Sequence, residues 1–204
     1  MNQKKWSRHF TLSFIFIILF CLGPSVFALT NPREKPVAFR NPSGRSGVLF
    51  DLGYYYGQSE ATANPSPGNE WKDIISVYDI RLGVITESDF YFGGGYMTRS
   101  DSLSSQGISS TSGGTAMAGL GYYWGTGFNL RAFYHINETF GNYSSGTGFQ
   151  ADLGYMVNMT SNFYLGALLT HRQTVFTSNS TIANFQTWTR KQTFPMITFG
   201  FLIN

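Results

Sequence analysis

The chain has 204 residues, of which 17% are aromatic and 12% are charged, and its formal net charge is +3. Charged residues make up about 25% of an average domain, so the composition argues against a protein that shows its whole surface to water. The basic excess comes from residues 1–28, which hold three of the fourteen Lys and Arg residues and none of the acids. The remaining eleven basic residues balance the eleven acidic ones, so the net charge gives no indication of nucleic-acid binding.

Residues 1–28 have the pattern of an export signal. Lys4, Lys5 and Arg8 precede an apolar run at 10–22, and Val26-Phe27-Ala28 offers a cleavage site. The run is short for a helix that spans a membrane, which needs about 20 apolar residues. We therefore predict a cleaved signal peptide, followed by an exported mature chain.

Residues 29–45 are predicted to form a flexible periplasmic lead-in. Three prolines interrupt any regular pattern there. We expect a solvated tail, with a short plug or a periplasmic contact as the alternative. The only cysteine, Cys21, lies in the signal, so neither disulfides nor thiol chemistry is expected in the mature protein.

From Ser46 onward, apolar and polar residues alternate in eight successive runs, which predicts eight β-strands. The clearest pair lies at 115–137, where two alternating runs flank the turn Gly125-Thr126-Gly127. One face of this hairpin is apolar with aromatic residues at its ends, and the other carries glycine, polar and charged residues. Short turns follow the second, fourth and sixth runs, and polar loops are predicted at 58–71, 101–114, 140–146 and 177–190. This asymmetry is typical of outer-membrane barrels.

The charges indicate which face of the predicted sheet points outward. An apolar face fills the interior of a soluble barrel, but it faces lipid in a transmembrane barrel. Nearly all charges of the predicted strands lie opposite the aromatic face; they are Asp51, Asp79, Arg81, Arg99, Arg131, Asp152 and Arg172. We predict that these seven form a network of Asp–Arg pairs in the lumen, because unpaired charges in so narrow a barrel would be costly. The predicted fold is an all-β, eight-stranded antiparallel up-and-down transmembrane β-barrel over residues 46–204.

With these features, the chain resembles the small OmpA/OmpX-type outer-membrane barrels of Gram-negative bacteria over roughly residues 46–204. The resemblance lies in architecture, and it implies a location in the cell outer membrane. The partners it implies are outer-membrane lipid, lipopolysaccharide and the outer-membrane assembly machinery. The last strand in that family commonly ends in an aromatic residue, whereas Phe199 and Phe201 here precede Leu202-Ile203-Asn204. We expect a monomer.

The polar loops favour a non-enzymatic protein with a structural or surface-interaction role at the cell surface. A narrow porin-like or small-solute channel is the alternative, because many glycines share the interior face. A lipid A-modifying barrel enzyme is a third hypothesis, since His171 lies late in the seventh strand, although no Ser follows at the expected spacing. We predict no catalytic residue, metal site, cofactor or nucleic-acid partner. At the level of the fold, a soluble lipocalin-like binding protein is the rival.

Overall fold

The structure, a computed structural model, describes residues 37–39, 46–62, 70–103 and 110–203. The predicted signal and most of the predicted lead-in lie outside these ranges. Within the described ranges, no helix is long and apolar enough to cross a membrane. Eight long strands account for most of the described chain; they are β1 (Gly47–Thr62), β2 (Glu70–Ile85), β3 (Phe90–Leu103), β4 (Thr111–Tyr123), β5 (Phe128–Phe140), β6 (Tyr143–Asn158), β7 (Phe163–Phe176) and β8 (Trp188–Ile203).

Each strand pairs antiparallel with its neighbours in sequence, and β8 also pairs with β1, so the sheet closes on itself. The predicted all-β, eight-stranded up-and-down barrel is therefore confirmed as a fold. Such closure pairs the two outermost strands of the sheet with each other along the lower part of their length.

The closing seam is the shortest of the eight strand pairings. It joins residues 48–54 of β1 to residues 197–203 of β8 in seven residue pairs, whereas β1 and β2 share sixteen. Pro195 lies two residues before Ile197, the first seam residue of β8, and proline has no backbone N–H to donate to a ladder. The rings of Phe194 and Tyr55 stack at 4.9 Å beyond the end of the ladder. Side-chain packing therefore continues the contact where backbone pairing stops.

The strands are longer than predicted, because alternation continues into several of the polar stretches. The predicted loop at 140–146 is a two-residue turn, Gly141-Asn142, between β5 and β6. Gly141 has a φ of 56°, in the left-handed region that glycine adopts without a steric penalty. The turns at 86–89, 124–127 and 159–162, at the other end of the barrel, are short as predicted.

Residues 37–39 lie at one end of the barrel. Val37 and Ala38 pair with the last residues of β6, and the N–H of Phe39 donates to the carbonyl of Met156 at 2.9 Å. The Phe39 ring is 2% exposed and lies 5.2 Å from the ring of Tyr123. Residues 29–36 and 40–45 of the predicted lead-in lie outside the described ranges. We call the end that holds Phe39 the lower end and the opposite end the upper end.

Candidate functional site

All seven charged residues singled out in the sequence lie inside the barrel, where each exposes 4% of its surface or less. The structure brings five of them together and separates the other two. Arg99 and Arg172 lie nearer the upper end, among partners that the sequence analysis did not name. We call the five-residue group the central belt; it consists of Asp51, Asp79, Arg81, Arg131 and Asp152.

The central belt links four strands by ion pairs across the interior. Arg131 of β5 donates from Nη1 to Oδ2 of Asp51 on β1 at 2.6 Å. Arg81 of β2 pairs with Asp79 on its own strand, and its Nη1 lies 2.8 Å from Oδ2 of Asp152 on β6. Two guanidinium groups thus face three carboxyl groups in a space without exposed surface. Such pairing offsets the high cost of burying each charge alone.

Aromatic and sulfur-containing side chains pack around the belt. The guanidinium of Arg81 lies 4.8 Å from the centre of the Phe133 ring, a distance at which cations are attracted to aromatic faces. Met97, Met117 and Met196 are also buried in the interior. Because methionine is flexible, it fills irregular gaps well. The described interior is therefore packed with side chains.

A second set of charges lies at the upper end of the interior; we call it the upper group. Arg99 donates from Nη2 to Oδ2 of Asp101 at 2.6 Å and also contacts Gln192. Arg190 pairs with the same Asp101, and its guanidinium lies 4.0 Å from the centre of the Phe140 ring. Aromatic rings and ion pairs thus alternate across this end of the barrel.

Glu138 is the acid to which Arg172 binds in the upper group. Thr174 donates to Glu138 Oε2 at 2.8 Å, and Nδ1 of His135 lies 3.4 Å from that oxygen. Glu138 lies above Ile136, the last outward apolar residue of β5. Burial alone would raise the pKa of Glu138, but the neighbouring His135, the charge of Arg172 and the hydrogen bond from Thr174 outweigh it, so the pKa is lowered.

Strict alternation could not have identified Glu138 as an interior residue. The β5–β6 register shifts between His135 and Glu138, and Asn137 has a left-handed φ of 52°. A bulge of this kind adds a residue to one strand and reverses the inward and outward positions beyond it.

Asp101 and Arg190 differ from Glu138, since continued alternation along β3 and β8 would have identified both as interior residues. They were missed because their polar surroundings were assigned to loops.

His171 lies on the outer face of β7, as its position in the alternation predicted. Its side chain is exposed, and Nδ1 lies 2.8 Å from the hydroxyl of Thr193. In the described structure no carboxylate contacts His171, so the pair with Thr193 lacks the third group that orients the base in a catalytic triad. Among the described residues there is also no cluster of three His, Cys, Asp or Glu side chains that could hold a metal ion.

The outer face carries a continuous band of apolar side chains, which we call the outer band. Between its edges it exposes large apolar side chains such as Leu82 and Leu120, both 58% exposed, and Phe92, which is 53% exposed. Below its upper edge, the outward positions of the described band carry no Asp, Glu, Lys or Arg; Lys191 of β8 lies at that edge, on the same row of paired residues as Phe149. Aromatic residues mark its upper edge at Tyr54, Tyr56, Tyr78, Tyr96, Tyr134 and Phe149. Others mark its lower edge at Phe90, Tyr122, Trp124, Phe128, Tyr155, Phe163 and Phe201.

Comparison of the chain with protein-family models, with curated proteins and with solved structures found no significant match.

Proposed function

We propose that this chain is a small outer-membrane β-barrel of the OmpA/OmpX type, with a non-enzymatic role at the cell surface. Its closed and packed interior would hold the wall rigid. Its contacts with other molecules would be made by the strand ends and connections at the upper end. In this proposal the protein is exported by a cleaved signal, inserted by the outer-membrane assembly machinery, and surrounded by lipid and lipopolysaccharide as a monomer.

The outer band is the observation that carries the proposal. Soluble monomers rarely expose a contiguous apolar patch larger than a few hundred square ångströms, whereas this band surrounds the whole barrel. Aromatic residues at both edges of an apolar belt are typical of the two interfaces between a membrane and water. The charges are inside, which is the reverse of the arrangement in a soluble barrel. Lipid around the barrel would account for all three features.

The packed interior favours a structural barrel over the narrow porin-like channel. The central belt ties β1, β2, β5 and β6 together, with Phe39 below it and the aromatic rings of the upper group above it. An eight-stranded barrel leaves room for little besides side chains. Ions would therefore have to break buried ion pairs in order to pass. Planar bilayers containing the purified protein should show no discrete conductance steps, and reproducible steps would favour the channel.

The proposal is tested by fractionation followed by electrophoresis in SDS, with and without boiling. We expect the protein in the outer-membrane fraction and a faster band in the unboiled sample, because a closed barrel resists SDS and stays compact. A soluble periplasmic protein with the same mobility in both samples would overturn the proposal. That outcome would favour the lipocalin-like alternative.

The lipid A-modifying enzyme is the weakest alternative, since His171 contacts the Thr193 hydroxyl and an aromatic ring but, in the described structure, no carboxylate that would orient it as a base. Lipid A from cells that express the protein should have the same mass spectrum as lipid A from cells that lack it. A mass change that the substitution His171→Ala removes would instead establish the enzyme.

A further inference from the structure

A cleft with a volume of about 540 Å³ opens at the upper end of the barrel. The start of β4 forms one wall, the β5–β6 turn forms the floor, and the β7–β8 connection at 177–187 forms the other wall. We call it the rim cleft. Its volume falls in the range of small-molecule sites, about 300–1,000 Å³. The β5–β6 turn lies beyond the upper edge of the outer band, so a ligand would reach the cleft from the aqueous side.

The walls of the rim cleft are held in place by hydrogen bonds. Oδ1 of Asn179 accepts from the N–H and hydroxyl of Thr181, both at 2.8 Å, and from the N–H of Ile182 at 3.0 Å. The N–H of Ser180 donates to the carbonyl of Asn142 at 2.9 Å, which ties this wall to the floor. The surface is therefore ordered before a ligand binds, so less of the binding free energy is spent on ordering it.

The opposite wall is joined to the same turn. The N–H of Gly141 donates to the carbonyl of Ser112 at 2.9 Å. Tyr143, directly after the turn, pairs with Asn179 in a short strand segment, and its ring lies 4.4 Å from that of Trp188. The Tyr143 ring at the cleft therefore packs against the ring of Trp188 at the upper end of the barrel.

The chemistry of the lining is hydroxyl, amide and aromatic. Ser112 and Asn142 provide groups that can both donate and accept hydrogen bonds, while the NH2 of Asn179 can donate and the hydroxyl oxygen of Thr181 can accept. Tyr143 adds an aromatic surface on which an apolar face can pack. Of the described residues that line the cleft, none is charged. A ligand that suits this lining carries many hydroxyl groups, has a flat C–H face and bears no net charge.

We propose that the rim cleft binds a neutral oligosaccharide. A sugar ring has hydroxyl groups at its edge for the Ser, Thr and Asn side chains and a C–H face for Tyr143. An acidic sugar, phosphate or nucleotide would have no cation to pair with in the lining. The inference names the ligand class of the surface role proposed above, and it depends on that role because the upper end must face the outside of the cell.

The test uses the full mature chain, refolded in detergent, with folding checked by the unboiled electrophoretic band. Maltohexaose, cellohexaose and chitohexaose serve as neutral probes, and an oligogalacturonate serves as the acidic probe. Binding is followed by calorimetry and by tryptophan fluorescence, since Trp188 contacts Tyr143. We expect at least one neutral probe to bind and the acidic probe not to bind.

Two variants locate the binding in the cleft. Asn142→Ala removes an amide of the floor but keeps the backbone carbonyl that Ser180 contacts, and Asn179→Ala removes the three hydrogen bonds that order one wall. Each should weaken binding about tenfold or more, the change that follows from losing roughly one good polar contact. Asn162→Ala, the same substitution in a turn at the lower end, is the control and should leave affinity unchanged.

Failure of every neutral probe to bind the folded protein would overturn the inference, as would binding of the acidic probe alone. Binding that both cleft variants retain in full would overturn it too. The proposed function has a separate readout, because it depends on membrane fractionation and the electrophoretic shift. A protein that passes those two tests and binds no sugar would retain the surface role and lose only this ligand.

Discussion

Arg131 and Asp51 lie on strands β5 and β1, 80 residues apart in sequence, and their side chains meet inside the barrel at 2.6 Å. Neither side chain exposes more than 1% of its surface. The contact crosses the interior, since the two strands are not neighbours in the sheet. It therefore joins parts of the wall that backbone hydrogen bonds leave unconnected.

Removal of one partner from this pair should be strongly destabilising. Arg131→Met keeps much of the apolar stem but removes the nearest cation from Asp51 and leaves Arg81 alone with the three carboxyl groups of the central belt. We expect a loss of about 3–5 kcal/mol in the free energy of unfolding, the usual result of breaking a buried ion pair. Urea titration of the refolded barrel, followed by the boiled and unboiled bands, measures it.

The double variant Asp51→Asn with Arg131→Met is the control for this prediction. It removes both charges, so its loss should be clearly smaller than the sum of the two single losses. If the losses were simply additive, the pair would contribute nothing beyond the packing of each side chain.

Gly83 is predicted to be required for the packing of Tyr91. A Cβ atom at position 83 would lie 2.3 Å from Cε2 of Tyr91 and 2.7 Å from the carbonyl oxygen of Phe92. Both Gly83 and the Tyr91 ring are buried, so neither neighbour has free space to move into. We expect Gly83→Val to destabilise the barrel by about 1–3 kcal/mol, the range for overpacked interiors.

Gly125 provides the matched control, because a Cβ atom there would meet nothing within 4 Å. Gly125→Val should leave the urea midpoint almost unchanged. If the Gly83→Val barrel were as stable as the Gly125→Val barrel, the close packing of Tyr91 of β3 against β2 would be contradicted.

Phe39 is predicted to stabilise the lower end without controlling conduction. Phe39→Ala removes ring contacts with Tyr123 and Tyr164, and we expect a loss of about 3 kcal/mol, the lower part of the range for buried Phe→Ala. Met159→Ala, in an exposed lower turn, is the control for stability.

Planar bilayers that contain the Phe39→Ala variant should still show no conductance, because the central belt remains in place. Conductance that appears only in Phe39→Ala would show that the end segment, and not the belt, blocks the interior.

The sequence predicted the fold well because alternation of two residues is a strong signal in a closed sheet with different inner and outer faces. Arg131 and Asp152 were assigned to the interior on that basis, and both are fully buried. The strand ends were predicted less well. Ser, Thr and Asn at the upper end suggested loops, although those residues continue the pairing, as in β6 from Tyr143.

The sequence predicted which charged residues face the interior, but it could not predict which of them pair with each other. Alternation shows that Arg99 points inward, but its height in the barrel depends on strand register, which the sequence leaves open. The structure pairs it with Asp101 rather than with an acid of the central belt. The bulge at Asn137 is a second limit, since one residue with left-handed φ moves Glu138 from the outer to the inner face.

A charge on the outer band distinguishes lipid from water around the barrel. Leu120 lies on the outer face of β4, one outward position above Tyr122 at the lower edge of the outer band, and is 58% exposed. In a membrane, an Arg on the lipid face costs about 2–4 kcal/mol at the bilayer midplane and about 0–1 kcal/mol near an interface, so Leu120→Arg, which lies between the two, should cost about 1–3 kcal/mol. On a soluble protein, an exposed substitution of this kind changes stability by about 0.5 kcal/mol or less. Urea titration in lipid vesicles measures the difference.

Thr139→Arg is the matched control, since Thr139 is also exposed but lies above the outer band. We expect Leu120→Arg to lower the folded fraction in vesicles while Thr139→Arg leaves it nearly unchanged, because only the first places a guanidinium in the hydrocarbon layer. Equal and small effects of the two substitutions would mean that water, and not lipid, surrounds residue 120. The proposed outer-membrane location would then be wrong, although the barrel fold would stand.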